Sequence, residues 1–404
     1  MRVVVADKFP EKYVSELQKL NLDVDYNPKL GAEDLVDAAK TAAIVIVRST
    51  VVNEKCIQNS NELSLIIRAG AGVNNIDLKA ASAKGIYVAN CPGKNSIAVA
   101  ELAIGLILAI DRKIPDNVID FRNGKWNKAL YSKADGLFGK KLGIIGTGKI
   151  GMELVKRAQS CGIRVYAWSR SLTPERAAAI GVEYCKTIED LVEAVDIVSV
   201  HLALKPETKG IISKDIIERM KPGTIFINTA RAEVVDEDAL VKAAEAGKIR
   251  AGLDVFNDEP EQKEGEFSSS LQEVKNIYVT HHIGASTEQA QNAVAADAIS
   301  IVKEYVSEGR VRNWVNRCDS TDAGWQLIVR HYDKPGVLAN VMTVLKEGNI
   351  NAEELENVIF DGKIAACCTI QLDAQPSEEM LDKIRNRSDE VISATLINLN
   401  GSTK

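Results

Sequence analysis

The sequence contains little that suits a membrane, a metal cluster or a nucleic acid. Its most apolar stretch, Ile97 to Ile110, is interrupted by Glu101 and falls short of the ~20 residues that a bilayer-spanning helix needs. It reads as a buried helix. Met1 runs straight into Arg2-Val3-Val4-Val5-Ala6-Asp7, a strand-like beginning without the charged start and apolar core of a signal peptide. No block of like charge breaks up the 404 residues, whose net charge is −6, so neither nucleic acid nor an anionic surface is an expected partner. The seven cysteines (Cys56, Cys91, Cys161, Cys185, Cys318, Cys367 and Cys368) include no C-x-x-C pair and are odd in number. They read as free thiols of a reducing compartment, with no metal site. A soluble, cytoplasmic protein without a membrane partner is expected.

The composition is that of a globular chain, with 46% apolar and 26% charged residues, and the length calls for two or three domains. Short apolar runs alternate with amphipathic helical stretches. Strands are expected at 3–6, 43–47, 65–68 and 86–89, then in a second series at 142–145, 164–168, 196–200, 224–228, 249–254 and 277–280. That rhythm is the βαβ signature of parallel sheets covered by helices, and six strands suit a doubly wound nucleotide-binding unit. The helical stretch 288–306 is expected to return to the first unit, which makes that unit discontinuous. Residues 308–322 read as a linker. From Trp325 on, strand, helix, two strands around Asp361-Gly362, helix and strand form a βαββαβ unit on an antiparallel sheet.

Gly146-Thr147-Gly148-Lys149-Ile150-Gly151 follows the expected strand 142–145 and opens a helix. Gly146 makes the tight turn, Gly148 lets the backbone approach a pyrophosphate and Gly151 lets helix pack on strand. Such a fingerprint expects an acid ~20 residues on to bind the adenosine ribose. Here the next strand ends Trp168-Ser169-Arg170 with no carboxylate, and Arg170 is suited to pair with a 2′-phosphate. This leans toward NADP(H) over NAD(H).

With only four histidines in the chain, each can be weighed. His201 ends one strand near the expected cofactor cleft, His331 lies in the tail, and His281 and His282 end the strand 277–280. Hydride transfer to a 2-keto acid needs a cation for the carboxylate, a general acid/base for the carbonyl oxygen and a carboxylate to hold that base. Arg231, one of the two adjacent histidines, and an acid within Asp254-Val255-Phe256-Asn257-Asp258-Glu259-Pro260 stand at the ends of three successive expected strands.

Taken together, Asn228-Thr229-Ala230-Arg231-Ala232-Glu233-Val234-Val235-Asp236, Asp254-Val255-Phe256 through Glu259-Pro260, His282-Ile283-Gly284-Ala285, the glycine loop, and Arg68-Ala69-Gly70-Ala71-Gly72-Val73-Asn74-Asn75-Ile76-Asp77 resemble the D-specific 2-hydroxyacid dehydrogenases over the first 317 residues. The resemblance implies a flavodoxin-like substrate domain (1–94 and 285–317) and an inserted Rossmann domain (95–284). It implies that Arg231 binds the substrate carboxylate, His282 moves the proton of the C2 oxygen and Glu259 raises the pKa of His282. Asp254 is expected to bond the nicotinamide carboxamide. His201, Thr208, Thr229, Ala230, Gly284 and Ala285 are expected to line the cofactor alongside the glycine loop, Ser169 and Arg170. Gly70, Ala71, Gly72, Val73 and Asn74 are expected to face the substrate. The family usually has proline where this chain has His281.

The tail 318–404, with Arg330-His331-Tyr332-Asp333-Lys334-Pro335-Gly336 and Gly348-Asn349-Ile350-Asn351, resembles an ACT domain, a ferredoxin-like regulatory module. Among the family's members it points to the 3-phosphoglycerate dehydrogenases of serine biosynthesis. The implied substrate is a phosphorylated 2-hydroxy or 2-keto acid, with Arg48 on the phosphate side. L-serine is the implied effector at His331, Asp333 and Asn351, and a homodimer or homotetramer is expected. An NADPH-dependent hydroxypyruvate or glyoxylate reductase is the alternative, and a non-catalytic NAD-sensing corepressor the remote one.

Overall fold

The structure is a computed structural model that describes residues 1–260, 265–318, 320–386 and 389–400. It divides into two compact units, Met1–Asn316 and Arg317–Lys404.

The first unit contains two parallel sheets. β1 (Arg2–Val5), β2 (Asp23–Tyr26), β3 (Ile44–Val47), β4 (Leu65–Arg68) and β5 (Tyr87–Asn90) lie in the order β2-β1-β3-β4-β5. The strands β1, β3 and β4 are valine- and isoleucine-rich and nearly all buried, because helices cover both faces. Each fully buried valine or isoleucine contributes about 1.5–3 kcal/mol. The strand β2 was not expected from the sequence. It is an edge strand with Asp23 exposed and the rest half-buried, so its sequence lacks the continuous apolar run.

The second sheet is formed by β6 (Lys141–Ile145), β7 (Arg164–Trp168), β8 (Glu183–Tyr184), β9 (Ile197–Val200), β10 (Thr224–Asn228), β11 (Ile249–Leu253) and β12 (Ile277–Val279), in the order β12-β11-β10-β9-β6-β7-β8. The helix Ser96–Arg112 is buried against it through Ala103, Leu106, Ile107 and Ile110. The helix Glu288–Glu308 instead packs Val294, Ala298, Ile299 and Val302 on the core of the first sheet, with Val3, Val5 and Ile46. After it the chain is not a free linker as far as Asn316. Val315 N–H donates to Val88 O at 2.8 Å and Asn316 Oδ1 accepts from Val88 N–H at 2.9 Å. The reason is that β5 ends the sheet, and its unpaired backbone groups accept a covering segment.

In both sheets all strands run parallel. Each sheet therefore presents all of its strand C-termini along one edge, the position at which open α/β sheets bind ligands.

The second unit is an antiparallel sheet of β13 (Trp325–Tyr332), β14 (Ala352–Ile359), β15 (Ala365–Leu372) and β16 (Val391–Asn398) in the order β14-β15-β13-β16. Leu327, Val329, Cys368 and Ile370 pack with Val341, Leu345, Leu381 and Ile384 of the helices Val337–Glu347 and Glu378–Asn386. The edge strand β14 carries Leu355, Val358 and Ile359 exposed. The His331 ring is buried, with Nδ1 2.8 Å from Tyr332 O and Nε2 3.2 Å from Asn357 Oδ1. The side chain of Asn351 donates to Glu353 at 2.7 Å, and Asp333 is exposed. Of the three residues expected to meet an effector, His331 thus has both ring nitrogens occupied within the chain.

Candidate active site

After β6 the chain turns through Gly146 at φ +102°, and the helix Lys149–Ser160 begins with Gly148 as its N-cap and no capping side chain. A Cβ on Gly146 would come within 2.5 Å of His201 O, and one on Gly151 within 2.1 Å of Gly146 O. Both glycines are therefore required by packing. A Cβ on Gly148 would meet nothing within 4 Å, so this glycine borders open space at an uncapped helix N-terminus. That is the environment an anion takes. Two buried polar atoms nearby have no partner, His201 Nδ1 and Thr229 Oγ1. Burial holds the His201 imidazole down to about 4, so it is neutral at pH 7, and Ser199 Oγ lies 2.8 Å from its Nε2. The loop, the helix terminus and the two orphaned groups fit a dinucleotide.

Four side chains expected at the cofactor have partners within the chain. Asp254 is 1% exposed and has its carboxylate occupied: Oδ1 accepts from Thr280 Oγ1 at 2.6 Å and Ile283 N–H at 2.9 Å, and Oδ2 from Gly284 N–H at 2.8 Å. It pins the loop that carries His282. The Thr208 hydroxyl is spent inside its own turn, on Ala203 O at 2.7 Å and Lys205 N–H at 2.8 Å. Arg170 is engaged by Glu207 at 2.9 Å, so it does not stand free for a 2′-phosphate. Lys149 directs its ammonium to Pro92 O at 3.1 Å.

A cleft of about 820 Å³ is lined by Arg48, Arg68, Arg231, Glu259 and His282. His282 sits at φ +51°, a left-handed conformation rare outside glycine. Its Nδ1 lies 2.8 Å from Glu259 Oε2, while Glu259 Oε1 accepts from Phe256 N–H at 3.1 Å. One loop thus fixes the carboxylate, and the carboxylate fixes the ring. His281 is exposed and has no such partner among the described residues.

Arg231 follows β10, and its guanidinium occupies the space over Gly72, where a Cβ would lie 2.2 Å from Nη2. The loop Gly70–Asn74 is held by Cys91 N–H donating to Gly70 O at 2.8 Å and Asn90 Nδ2 donating to Ala71 O at 2.6 Å. Arg48, after β3, reaches Ser286 Oγ at 3.4 Å. Arg68, at the end of β4, went unnoticed in the sequence although it opens the quoted loop motif. Its Nε is buried without a partner. Burial, with Arg231 and Arg48 nearby, pushes its guanidinium down to about 10, still cationic at neutral pH. None of these three arginines is paired with a carboxylate among the described residues. A lone arginine closing a buried apolar strand, as at Val47-Arg48 and Ile67-Arg68, was the signal that could have found Arg68.

Asp7, just after β1, was also missed. Its carboxylate accepts from the N–H groups of Arg48, Ser49 and Thr50 at 2.7, 2.9 and 2.9 Å, and from Ser49 Oγ at 2.7 Å. Burial raises its pKa, and these bonds more than reverse that, leaving it at about 2 against an ordinary 3.8. Because the folded value is depressed, its contribution to stability is complete above pH 4 and is lost as pH falls through about 2. Asp7→Asn is expected to cost about 1–3 kcal/mol at pH 7 and to raise the substrate KM by loosening the Arg48 turn, with kcat nearly kept. Urea unfolding at pH 7 and pH 3 checks this: the gap between mutant and wild type should narrow toward acid.

Residues 104–284 match the model of the family described as D-isomer specific 2-hydroxyacid dehydrogenase, NAD binding domain. The chain is similar to a D-3-phosphoglycerate dehydrogenase of Methanocaldococcus jannaschii, at 35% identity over 90% of this chain and 68% of that one. It is similar to that of Archaeoglobus fulgidus at 38% identity over 78% of this chain and 59% of the relative. The chain thus spans between about three-fifths and two-thirds of the length of these relatives. Among solved structures, it resembles an NAD+-bound 3-phosphoglycerate dehydrogenase of Entamoeba histolytica (30% identity, TM-score 0.66, 78% of this chain and 99% of that one). It also resembles a fungal glyoxylate reductase from Paecilomyces thermophila (26% identity, TM-score 0.69, 78% and 98%).

Proposed function

The chain belongs to the D-isomer specific 2-hydroxyacid dehydrogenases, and from that premise we propose that it oxidises 3-phosphoglycerate at C2 to 3-phosphohydroxypyruvate with NAD(H) as its cofactor, the entry step of L-serine synthesis. The observation that carries this reading is the cluster of Arg48, Arg68 and Arg231 without carboxylate partners in one cleft with the Glu259–His282 pair. Three guanidiniums without an ion-pair partner in one cleft are costly unless an anion occupies it. A substrate with a carboxylate at one end and a phosphate at the other meets that demand, whereas glyoxylate or hydroxypyruvate leaves two arginines uncompensated. The curated relatives carry the same activity in their names.

In this mechanism Arg231 grips the C1 carboxylate and orients the C2 hydroxyl. His282 takes the hydroxyl proton on Nε2, and Glu259, at Nδ1, holds the tautomer that leaves Nε2 free to accept it. The glycine loop would hold the pyrophosphate of a dinucleotide, whose nicotinamide would supply the acceptor for the C2 hydride. Asp254 keeps the His282 loop in place, and Arg48 and Arg68 hold the phosphate.

We assign the unit Arg317–Lys404 as an ACT regulatory domain, on its βαββαβ order and antiparallel sheet, and L-serine as its effector. A homo-oligomer is supported by exposed Phe121, Trp126 and Phe138 in the first unit and by the apolar edge strand β14 in the second. Among the described residues no helix is long and apolar enough to cross a membrane. That and the free cysteines support a cytoplasmic location.

The deciding test is the initial rate with 3-phosphoglycerate against D-glycerate, and with phosphohydroxypyruvate against hydroxypyruvate, using NAD(H). The expected outcome is about 30- to 150-fold higher kcat/KM for the phosphorylated acid, as one extra charge-assisted anion contact supplies about 2–3 kcal/mol. Equal or better turnover of the free acids would make the chain a hydroxypyruvate or glyoxylate reductase instead.

A further inference from the structure

In the second sheet β6 lies between β7 and β9, so the glycine turn after β6 is flanked by the ends of both neighbours. Gly146 N–H donates to Trp168 O at 2.8 Å on one side, and His201 N–H to Ile145 O at 2.8 Å on the other. Arg170 follows the end of β7 and Glu207 lies in the loop after β9. Their side chains meet at 2.9 Å. The ion pair therefore bridges from one flank of the glycine turn to the other, at the end of β7 where a dinucleotide presents its adenosine ribose. That end of β7 has no acid of its own: Trp168-Ser169-Arg170-Ser171 contains none.

We propose that Glu207 selects the cofactor, supplying from the β9 loop the negative charge that the end of β7 lacks. The proposal rests on reading the glycine turn as a dinucleotide site and adds which residue discriminates at the 2′ position. With Glu207 in place, Arg170 is neutralised, and a 2′-phosphate dianion meets a carboxylate in addition to a cation already in use. An unphosphorylated ribose meets a hydrogen-bond acceptor. Specificity of this kind is a repulsion as much as an attraction. Both side chains are largely exposed, at 62% and 46%, and an exposed pair contributes little to folding. Its loss should therefore leave a folded protein in which the binding preference can be read.

The experiment is a binding titration, independent of turnover. Dissociation constants for 5′-ADP and 2′,5′-ADP are measured by calorimetry for the wild type, Glu207→Gln, Arg170→Ala and the double variant. The wild type should prefer 5′-ADP. In Glu207→Gln, affinity for 2′,5′-ADP relative to 5′-ADP should rise about tenfold or more, since a repulsive charge goes and Arg170 is released to the phosphate. In the double variant the part of that gain due to Arg170 should vanish and the part due to lost repulsion remain. An unchanged ratio in Glu207→Gln, or a double variant that keeps the whole gain or none of it, overturns the proposal. If the wild type binds neither nucleotide, the reading of the glycine turn as a dinucleotide site fails as well, which separates the two failures.

Discussion

Replacing His282 by alanine should lower kcat by about 10³–10⁴-fold while NAD+ still binds within a fewfold of the wild-type affinity. A positioned general acid/base contributes roughly 10²–10⁴-fold, and His282 is the histidine of the cleft whose Nδ1 is held 2.8 Å from a carboxylate. The groups we assign to the nucleotide lie elsewhere, on the glycine loop and around His201 and Thr229, so binding should survive. His281→Ala is the internal control. Its side chain is exposed and the carboxylate of Glu259 points to its neighbour, so activity should stay within a fewfold. If His281→Ala loses turnover and His282→Ala keeps it, the assignment of the base is wrong by one residue. Glu259→Gln should fall between the two, because the amide still positions the ring but cannot stabilise its protonated form. Its pH–rate profile, not only its kcat, should move.

The second large effect separates the arginines. Arg231→Ala removes the group assigned to the substrate carboxylate, and truncating one side of a desolvated charge pair costs about 2–5 kcal/mol. That corresponds to a loss of about 30- to 5,000-fold in kcat/KM, on phosphorylated and unphosphorylated acids alike. Arg68→Met should behave differently. For the phosphorylated substrate kcat/KM should fall by about 10²-fold, whereas D-glycerate should be used nearly as before. The empty protein should become more stable, since the variant removes a buried cation with an unpartnered Nε from beside two others. Inorganic phosphate should raise the Tm of the wild type and much less that of Arg68→Met. Equal losses on both substrates, with no change in phosphate response, would assign Arg68 to the architecture of β4 and return the phosphate site to Arg48 alone.

The elements of this protein were largely legible as local patterns. Apolar β-branched runs at 44–47 or 224–228 admit little besides a buried strand, and a glycine loop between strand and helix has few uses. Gly146 and Gly151 are where their neighbours leave no room for a side chain, a requirement visible in the spacing alone. The three successive strand ends carrying Arg231, Glu259 and His282 could also be read in order along the chain. The strands β2 and β8 escaped because edge strands are not buried on both faces, and the closing segment at Trp314 escaped because its partner β5 is 225 residues away (314 − 89 = 225).

By itself, the sequence determined which segments become strand and helix, the glycine turn, and the chemical types at the strand ends, since all of these depend on residues within a turn or two of each other. Only the tertiary structure decided which charges are satisfied. Asp7 meets the Arg48 turn 41 residues on, Asp254 meets the His282 loop, and Glu207 meets Arg170 across the glycine turn only because β6 lies between β7 and β9. Arg68 has no carboxylate at ion-pair distance because the strand order brings Arg48 and Arg231 to it, while the one acid it feels, Asp7, is spent on the backbone of the Arg48 turn. A charge acts on its site through whatever lies within a few ångströms, and strand order, not chain order, sets that neighbourhood.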